Sequence, residues 1–357
     1  MKFQSFWLLC IVLCGVSLIS YGEAPDSVPA PIIKAPKYHI YIALTGNDTN
    51  VGDSLNPVAT FQRALRVIDS LSKNDNGDVF AEAVYYSGTY DQVAEQSPQM
   101  YSRGARNLNV SLRGKGKVIL DGSNSTLGAG SGVVQLLGSH IYVRNIHARN
   151  SPANGMKFGW NWNGLIINSG DILVEDCEVE GSIGHGIIAG VGIMNASNKT
   201  KFLDPAKRIA FRRLSVHHTV NNNDHTKSPW GSAVKLNNAK YGIIEDCYVH
   251  DNGGEGIDLD NAWQVIIQGN ISANNRANIY LDKASGVSVR NNLCYYTSRP
   301  SANIFLSMEV YSALVRDLFL VDIDIENNVL FGSNGVAFWQ GTVSAIQRAH
   351  FHSIHIR

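Results

Sequence analysis

Between residues 232 and 283 the chain carries Lys235, Glu255, Asp258, Asp260, Tyr280 and Asp282, with Arg276 among them, its densest run of side chains able to do chemistry. An amine or carboxylate set beside a weakly acidic C–H or a leaving oxygen can carry a proton. Carboxylate oxygens are also what Ca²⁺ takes: Asp258, Asp260, Asp282 and Glu255 offer three or four of its roughly six to eight ligands. Blander uses of the same residues are a ladder of solvated ion pairs on an exterior strand, Lys235 with Asp258, or Ca²⁺ as a purely structural staple.

Spacing brings these residues together. Ser232-Ala-Val-Lys-Leu-Asn-Asn-Ala is followed by Glu255-Gly-Ile-Asp-Leu-Asp-Asn-Ala and Ala277-Asn-Ile-Tyr-Leu-Asp-Lys-Ala, with 23 residues from Val234 to Ile257 and 22 from Ile257 to Ile279. Short apolar alternations separated by Gly, Asn and Asp at this period mark a solenoid in which each copy is one coil. No coil buries its apolar side alone. Stacked about 4.8 Å apart, coils place Val234, Leu236, Ile257, Leu259, Ile279 and Leu281 in one interior column. The alternate residues then face outward as the column Lys157, Ile188, Lys235, Asp258, Tyr280, Phe305 and Ala337, beside Asn237, Asp260 and Asp282. Glu255 precedes its coil where His185 and Ser232 precede theirs.

These coils resemble the secreted right-handed parallel β-helix proteins, the fold of pectate and other polysaccharide lyases. The likeness is closest to a bacterial branch with segments such as Gly254-Glu-Gly-Ile and Ala277-Asn-Ile-Tyr-Leu-Asp, and it covers residues 38 to 341. It implies an all-β, single-stranded right-handed parallel β-helix with an N-terminal capping helix, and a polysaccharide, acidic in kind, as partner. The implied chemistry is β-elimination: a metal or arginine neutralises a sugar carboxylate so that Lys or Arg can remove the adjacent proton. Lys235 or Arg276 would be the base and Asp258, Asp260 and Asp282 the Ca²⁺ ligands. Gly231-Ser-Ala-Val-Lys235-Leu looks like the base-bearing strand of one pectate lyase family, although here it precedes the Asp-rich strand rather than following it. Asp258 beside Lys235 is expected to raise the lysine's pKa. Two other functions suit the same fold: a glycoside hydrolase or epimerase using Glu255 and Asp258 as an acid/base pair without metal, and a non-catalytic glycan-binding or surface solenoid.

The chain has 357 residues, 44% of them hydrophobic, and a formal net charge of zero, enough for one elongated domain, expected to be a monomer. Charge balance speaks against nucleic acid, which needs an excess of Lys and Arg. Lys2, the apolar run Phe6 to Ile19 and Ser20-Tyr21-Gly22 read as a signal peptide over residues 1–22, directing the chain to the periplasm, cell surface or medium. That run is too short to span a membrane. Residues 23–37, with four prolines, are expected to be a linker, 38–122 the N-terminal cap and first coils, 123–341 the β-helix, and 342–357 an irregular tail. In the cap, Thr60 can start a helix whose face is Phe61, Ala64, Leu65, Ile68 and Leu71. Cys177, Cys247 and Cys294 read as buried fillers, and Asn270, Asn292 and Asn328 share a register that suggests stacked interior amides.

Between His217 and Trp230, His217, His218, Asp224 and His225 have types that can ligate a transition metal, or the segment walls a groove in which His225 or Lys227 touches substrate. His250-Asp251 reads as a polar turn or an acid/base pair. Trp160, Trp162, Trp230 and Trp263 are expected in loops or turns, where they can stack sugar rings or clamp a loop. With Lys157 and Tyr280, Trp160, Trp162, Trp230 and His225 complete the expected substrate contacts.

Overall fold

One turn of the chain shows how the architecture arises. Ser232–Asn237, Ala239–Glu245 and Tyr248–His250 are three short strands with bends between them, and Glu255–Asp260, Trp263–Gln268 and Ile271–Ala273 repeat them one coil further on. Each strand pairs in parallel with its counterpart in the next coil, so the three become three walls of a right-handed parallel β-helix. In this computed structural model the described residues are 23–75, 78–92, 99–100, 108–128, 131–159, 170–190, 204–220, 231–297, 301–309, 317–340 and 348–357. Among them the first wall is a sheet of nine strands, and the second and third walls share a sheet of 18.

The register is the one the repeats imply. Lys157, Ile188, Lys235, Asp258, Tyr280, Phe305 and Ala337 are successive neighbours down the first wall, as are Asn237, Asp260 and Asp282. Val234, Leu236, Ile257, Leu259, Ile279 and Leu281 are fully buried in one continuous core. Burial of each such side chain is worth roughly 1.5–3 kcal/mol relative to exposure.

Corners, and an irregularity inside each second-wall strand, take their backbone from the left-handed region. His140, Asp171, Arg208, Tyr241, Gln264, Gly286, Asp322 and Ser353, one per coil along the second wall, all have φ between 54° and 63°. Asn145, Asp176, Arg213, Asp246, Gly269, Asn291 and Asn327 do the same at the next corner. Asn, Asp and Gly tolerate this conformation best, which is why they punctuate the repeats.

Inside the corner between the second and third walls, Asn270, Asn292 and Asn328 form the expected ladder. Asn292 Oδ1 accepts from Asn270 N and Nδ2, both at 3.0 Å, and Asn328 Oδ1 accepts from Asn292 N and Nδ2, both at 2.9 Å. Asn270 is 1% exposed, so its Asn-Ile-Ser triplet offers no accessible glycosylation acceptor. Cys177, Cys247 and Cys294 are buried free thiols, each pushed up to about 12 by burial.

The N-terminal helix, Phe61–Leu71, starts where expected: Thr60 Oγ1 accepts from Arg63 N at 3.1 Å. Its buried face is Phe61, Ala64, Val67 and Ile68, while Leu71, in the last turn, is exposed.

Two terminal segments make contacts that their sequences do not announce. The segment after residue 22 is extended but is not a free linker, because it docks along the second wall: Gln264 Nε2 donates to Glu23 O (3.1 Å), Arg290 NH2 donates to Asp26 O (2.9 Å), and Ile32 N donates to Asp171 Oδ1 (2.8 Å). Within the expected tail, the described residues 348–357 are ordered as well. Arg348–Ile356 is a strand in parallel with Asp317–Glu326, with Ile354 beside Ile323 and Ile356 beside Ile325. Its histidines and the left-handed Ser353 hide the coil pattern in sequence, although Ser353 sits where Asp322 turns one coil earlier.

Candidate functional site

The polar column of the first wall is in register but is not an exposed, solvated face. Lys235 is 8% exposed, Asp258 3%, Asp260 6%, Asp282 1% and Glu255 7%. Charges can lie this deep only if each is matched, and consecutive coils match them. Lys235 Nζ is 2.8 Å from Asp258 Oδ2 and 3.4 Å from Asp260 Oδ2, and Lys283 Nζ is 3.2 Å from Asp260 Oδ1 and also bonds Asp282. Ser232 Oγ donates to Asp258 Oδ2 at 2.6 Å, and Glu309 N donates to Asp282 Oδ1 at 2.8 Å.

This lattice bears on two expected roles. Burial alone would lower the pKa of Lys235, but Asp258 and Asp260 outweigh it and hold the amine above its ordinary value, as an ammonium ion rather than a base. Asp258, Asp260 and Asp282 were the expected Ca²⁺ ligands. The Lys235 and Lys283 ammonium groups stand among their oxygens, so the donor set does not fit a second, divalent cation.

The end of this column opens into a cleft of about 300 Å³ lined by Glu255, Arg276, Ala277, Tyr280, Ser301, Phe305 and Glu309. Burial, and then the charge of Asp258, push the Glu255 carboxyl up to about 7, with Lys235 and Arg276 opposing. Tyr280 donates to Glu309 Oε1 (2.7 Å) and lies 2.8 Å from Ser307 Oγ, and its ring stacks on Phe305 with centroids 5.4 Å apart. Burial is the largest cause of its raised pKa, which keeps the phenol protonated. Asp258 is also shifted upward, by burial first, and its Oδ1 is buried without a hydrogen-bond partner.

Of the sequence-derived candidates, the fold thus gathers Glu255, Arg276 and Tyr280 at one cleft and Lys235, Asp258, Asp260 and Asp282 in the ion lattice beside it. Lys157 lies two coils from Lys235, buried, and lowered to about 8 by that burial. His185 Nδ1 accepts from Ser232 N at 2.9 Å, and burial, then Lys235, press this imidazole down to about 3. Trp160, Trp162, Trp230, Asp224, His225 and Lys227 lie outside the described residues, as do residues 1–22. Trp263 begins a second-wall strand between Lys240 and Ser285, rather than a loop. Two members escaped the sequence reading. Lys283 fills the corner slot that Asn238 and Asn261 hold in the preceding copies, and that exchange of amide for amine was the available signal. Glu309 follows its strand outside the repeat and carried no signal.

A second polar cluster occupies the third wall. His147 Nδ1 is 3.4 Å from Glu178 Oε2 and its Nε2 3.4 Å from Glu180 Oε2, while His217 Nε2 is 3.0 Å from Glu178 Oε1. Burial lowers the pKa of His147. His217 stacks on His250 at 5.0 Å, and His250 Nδ1 bonds Asp251 Oδ2 at 2.8 Å across a left-handed corner, which makes His250-Asp251 a polar turn.

Fold and cleft together define a parallel β-helix protein with a polar depression on one wall. The chain belongs to the right-handed beta helix family, described as "Right handed beta helix region", whose profile matches residues 160–352. It is similar in fold to the solved structure of pectate lyase Pel9A (13% identity, 93% of this chain and 82% of that one, TM-score 0.49). Comparable likenesses are a rhamnogalacturonan lyase (13%, 90% and 87%, TM-score 0.46) and an alginate lyase from Paenibacillus sp. (11%, 86% and 99%, TM-score 0.45). No curated protein matches the chain. Among the described residues no helix is long and apolar enough to cross a membrane.

Proposed function

We propose that this protein is exported and acts on an acidic polysaccharide at the cleft, by lyase-like proton abstraction next to a uronate carboxylate. One observation carries the reading: a carboxyl group titrating near 7, Glu255, lines the same cleft as the guanidinium of Arg276. A base is most effective when its pKa lies near the working pH. Arginine matches a carboxylate in geometry and charge, and neutralising that carboxylate makes the neighbouring C–H acidic. Glu255 would take this proton, Arg276 would hold the charge that develops on the sugar carboxylate, and expulsion of the glycosidic oxygen would leave a C=C bond. The proton on Glu255 can pass to that oxygen, so the step balances without another donor. Lys235 and the aspartates hold the wall together, burial and the charge of Asp258 raise Glu255, and no step needs Ca²⁺.

Incubation with pectate, alginate and glycosaminoglycans, followed by ultraviolet absorbance of the unsaturated product, tests this. Glu255→Gln should lower turnover by roughly 100-fold or more. Asp258, with its raised pKa and unpartnered Oδ1, favours one second reading, a metal-independent hydrolase using Glu255 and Asp258. Reducing ends without an unsaturated product would select it. Tight binding with no cleavage of any of these polymers would refute both enzymatic readings in favour of a glycan-binding solenoid.

A further inference from the structure

The two polar clusters differ in one respect. On the first wall Asp258, Asp260 and Asp282 each meet a lysine. On the third, the ion contacts of Glu178 and Glu180 are with histidine, and Arg149, beside Glu180 in register, is bound to Asp121 at 2.7 Å instead. Two half-exposed carboxylates here face a partly buried imidazole rather than an amine.

We infer that His147, Glu178 and Glu180, completed by His217, form a site for a divalent transition metal of the zinc kind, separate from the cleft. One ligand atom each from His147, Glu178 and Glu180 lies within 4.8 Å of the others. Bonds of about 2.1 Å at the tetrahedral angle set ligand atoms roughly 3.4 Å apart. His147 Nδ1 to Glu178 Oε2 and His147 Nε2 to Glu180 Oε2 are each 3.4 Å, long for a hydrogen bond, and whichever nitrogen binds the ion makes its separation one ligand edge. Both ring nitrogens of His147 face a carboxylate. One can bind the metal while the other donates its N–H, the arrangement that orients metal-binding imidazoles. Mixed nitrogen and carboxylate donors select Zn²⁺ and its neighbours over Ca²⁺, which takes oxygen alone. His147, Glu178 and His217 come from three successive coils, since Glu178 is in register with His147 and Glu180 with His217. A bound ion would therefore clip three coils together.

The full chain, stripped with chelator, is titrated with Zn²⁺ by calorimetry, and its thermal midpoint is followed with and without the ion. One equivalent should bind and raise the midpoint. His147→Ala and Glu178→Gln should each weaken binding at least about tenfold and abolish the rise, whereas His355→Ala, at an exposed histidine bound to Asp324, should change neither. Should His147→Ala fail to fold, the near-isosteric Glu178→Gln and Glu180→Gln decide the matter. Absence of saturable binding, or binding that survives Glu178→Gln and Glu180→Gln, overturns the site.

Discussion

Replacing Lys235 by Met asks whether the first-wall ions are truly buried. The ammonium lies 2.8 Å from Asp258 and 3.4 Å from Asp260, and all three residues are at most 8% exposed. Removing one member of a buried set strands the other charges and costs about 3–5 kcal/mol, against about 1 kcal/mol or less for a solvated pair. With an unfolding entropy of about 2.1 cal/mol/K per residue over 357 residues, that loss lowers Tm by roughly 4–7 °C. Urea titration at pH 7.5 measures the free energy directly, provided the slope with denaturant is unchanged. Acid supplies an internal check. Asp258 already titrates above its ordinary value because it is buried, and losing Lys235 removes the charge that opposes this. The deficit should therefore shrink as pH falls and Asp258 takes up a proton. A loss below about 1 kcal/mol, or one that does not vary with pH, would mean that water reaches these groups and that Lys235 is free to deprotonate.

Glu255 gives a test in the opposite sense. Its carboxyl titrates at about 7 in the fold against an ordinary 4.5, so stability is full below the lower value and lost as pH rises through the higher one, by on the order of 3 kcal/mol. Glu255→Gln is expected to match the wild type at pH 4 and to exceed it by up to about 3 kcal/mol at pH 8, read from chemical denaturation. In the amide ladder, Asn292→Ala removes the acceptor for Asn270 N and Nδ2 and the donor to Ile267 O and Asn328 Oδ1, four bonds of which three are buried. It should cost roughly 2–4 kcal/mol and speed amide exchange in the adjacent coils. The three thiols, buried and shifted to about 12, should resist a thiol reagent at pH 8 until the protein unfolds.

The coils were legible because their period is set by the backbone. An inward Val, Leu or Ile every second residue, and the Asn, Asp and Gly that the winding favours at most corners, made the register from Lys157 to Ala337 directly readable. The burial of that column could not be read. Whether Lys235 is solvated depends on groups from other coils, and Lys283 supplies the charge that lets Asp260 and Asp282 lose water. The same limit applied to the third wall: His147, Glu178 and His217 are far apart in sequence and no motif announces them, since only the stacking of coils makes them neighbours.

Residues 23–32 have a consequence for how the molecule comes apart. A stack in which each winding touches only the next can fray from either end, one layer at a time. Here the same short ribbon is fastened at Asp171, Gln264 and Arg290, bonds that span 139, 241 and 264 residues of chain. Layers that would otherwise melt independently share a tie bar, and the tie can be fastened only after the later windings exist. Opening of the far coils should then depend on whether the ribbon near the N-terminus is still in place.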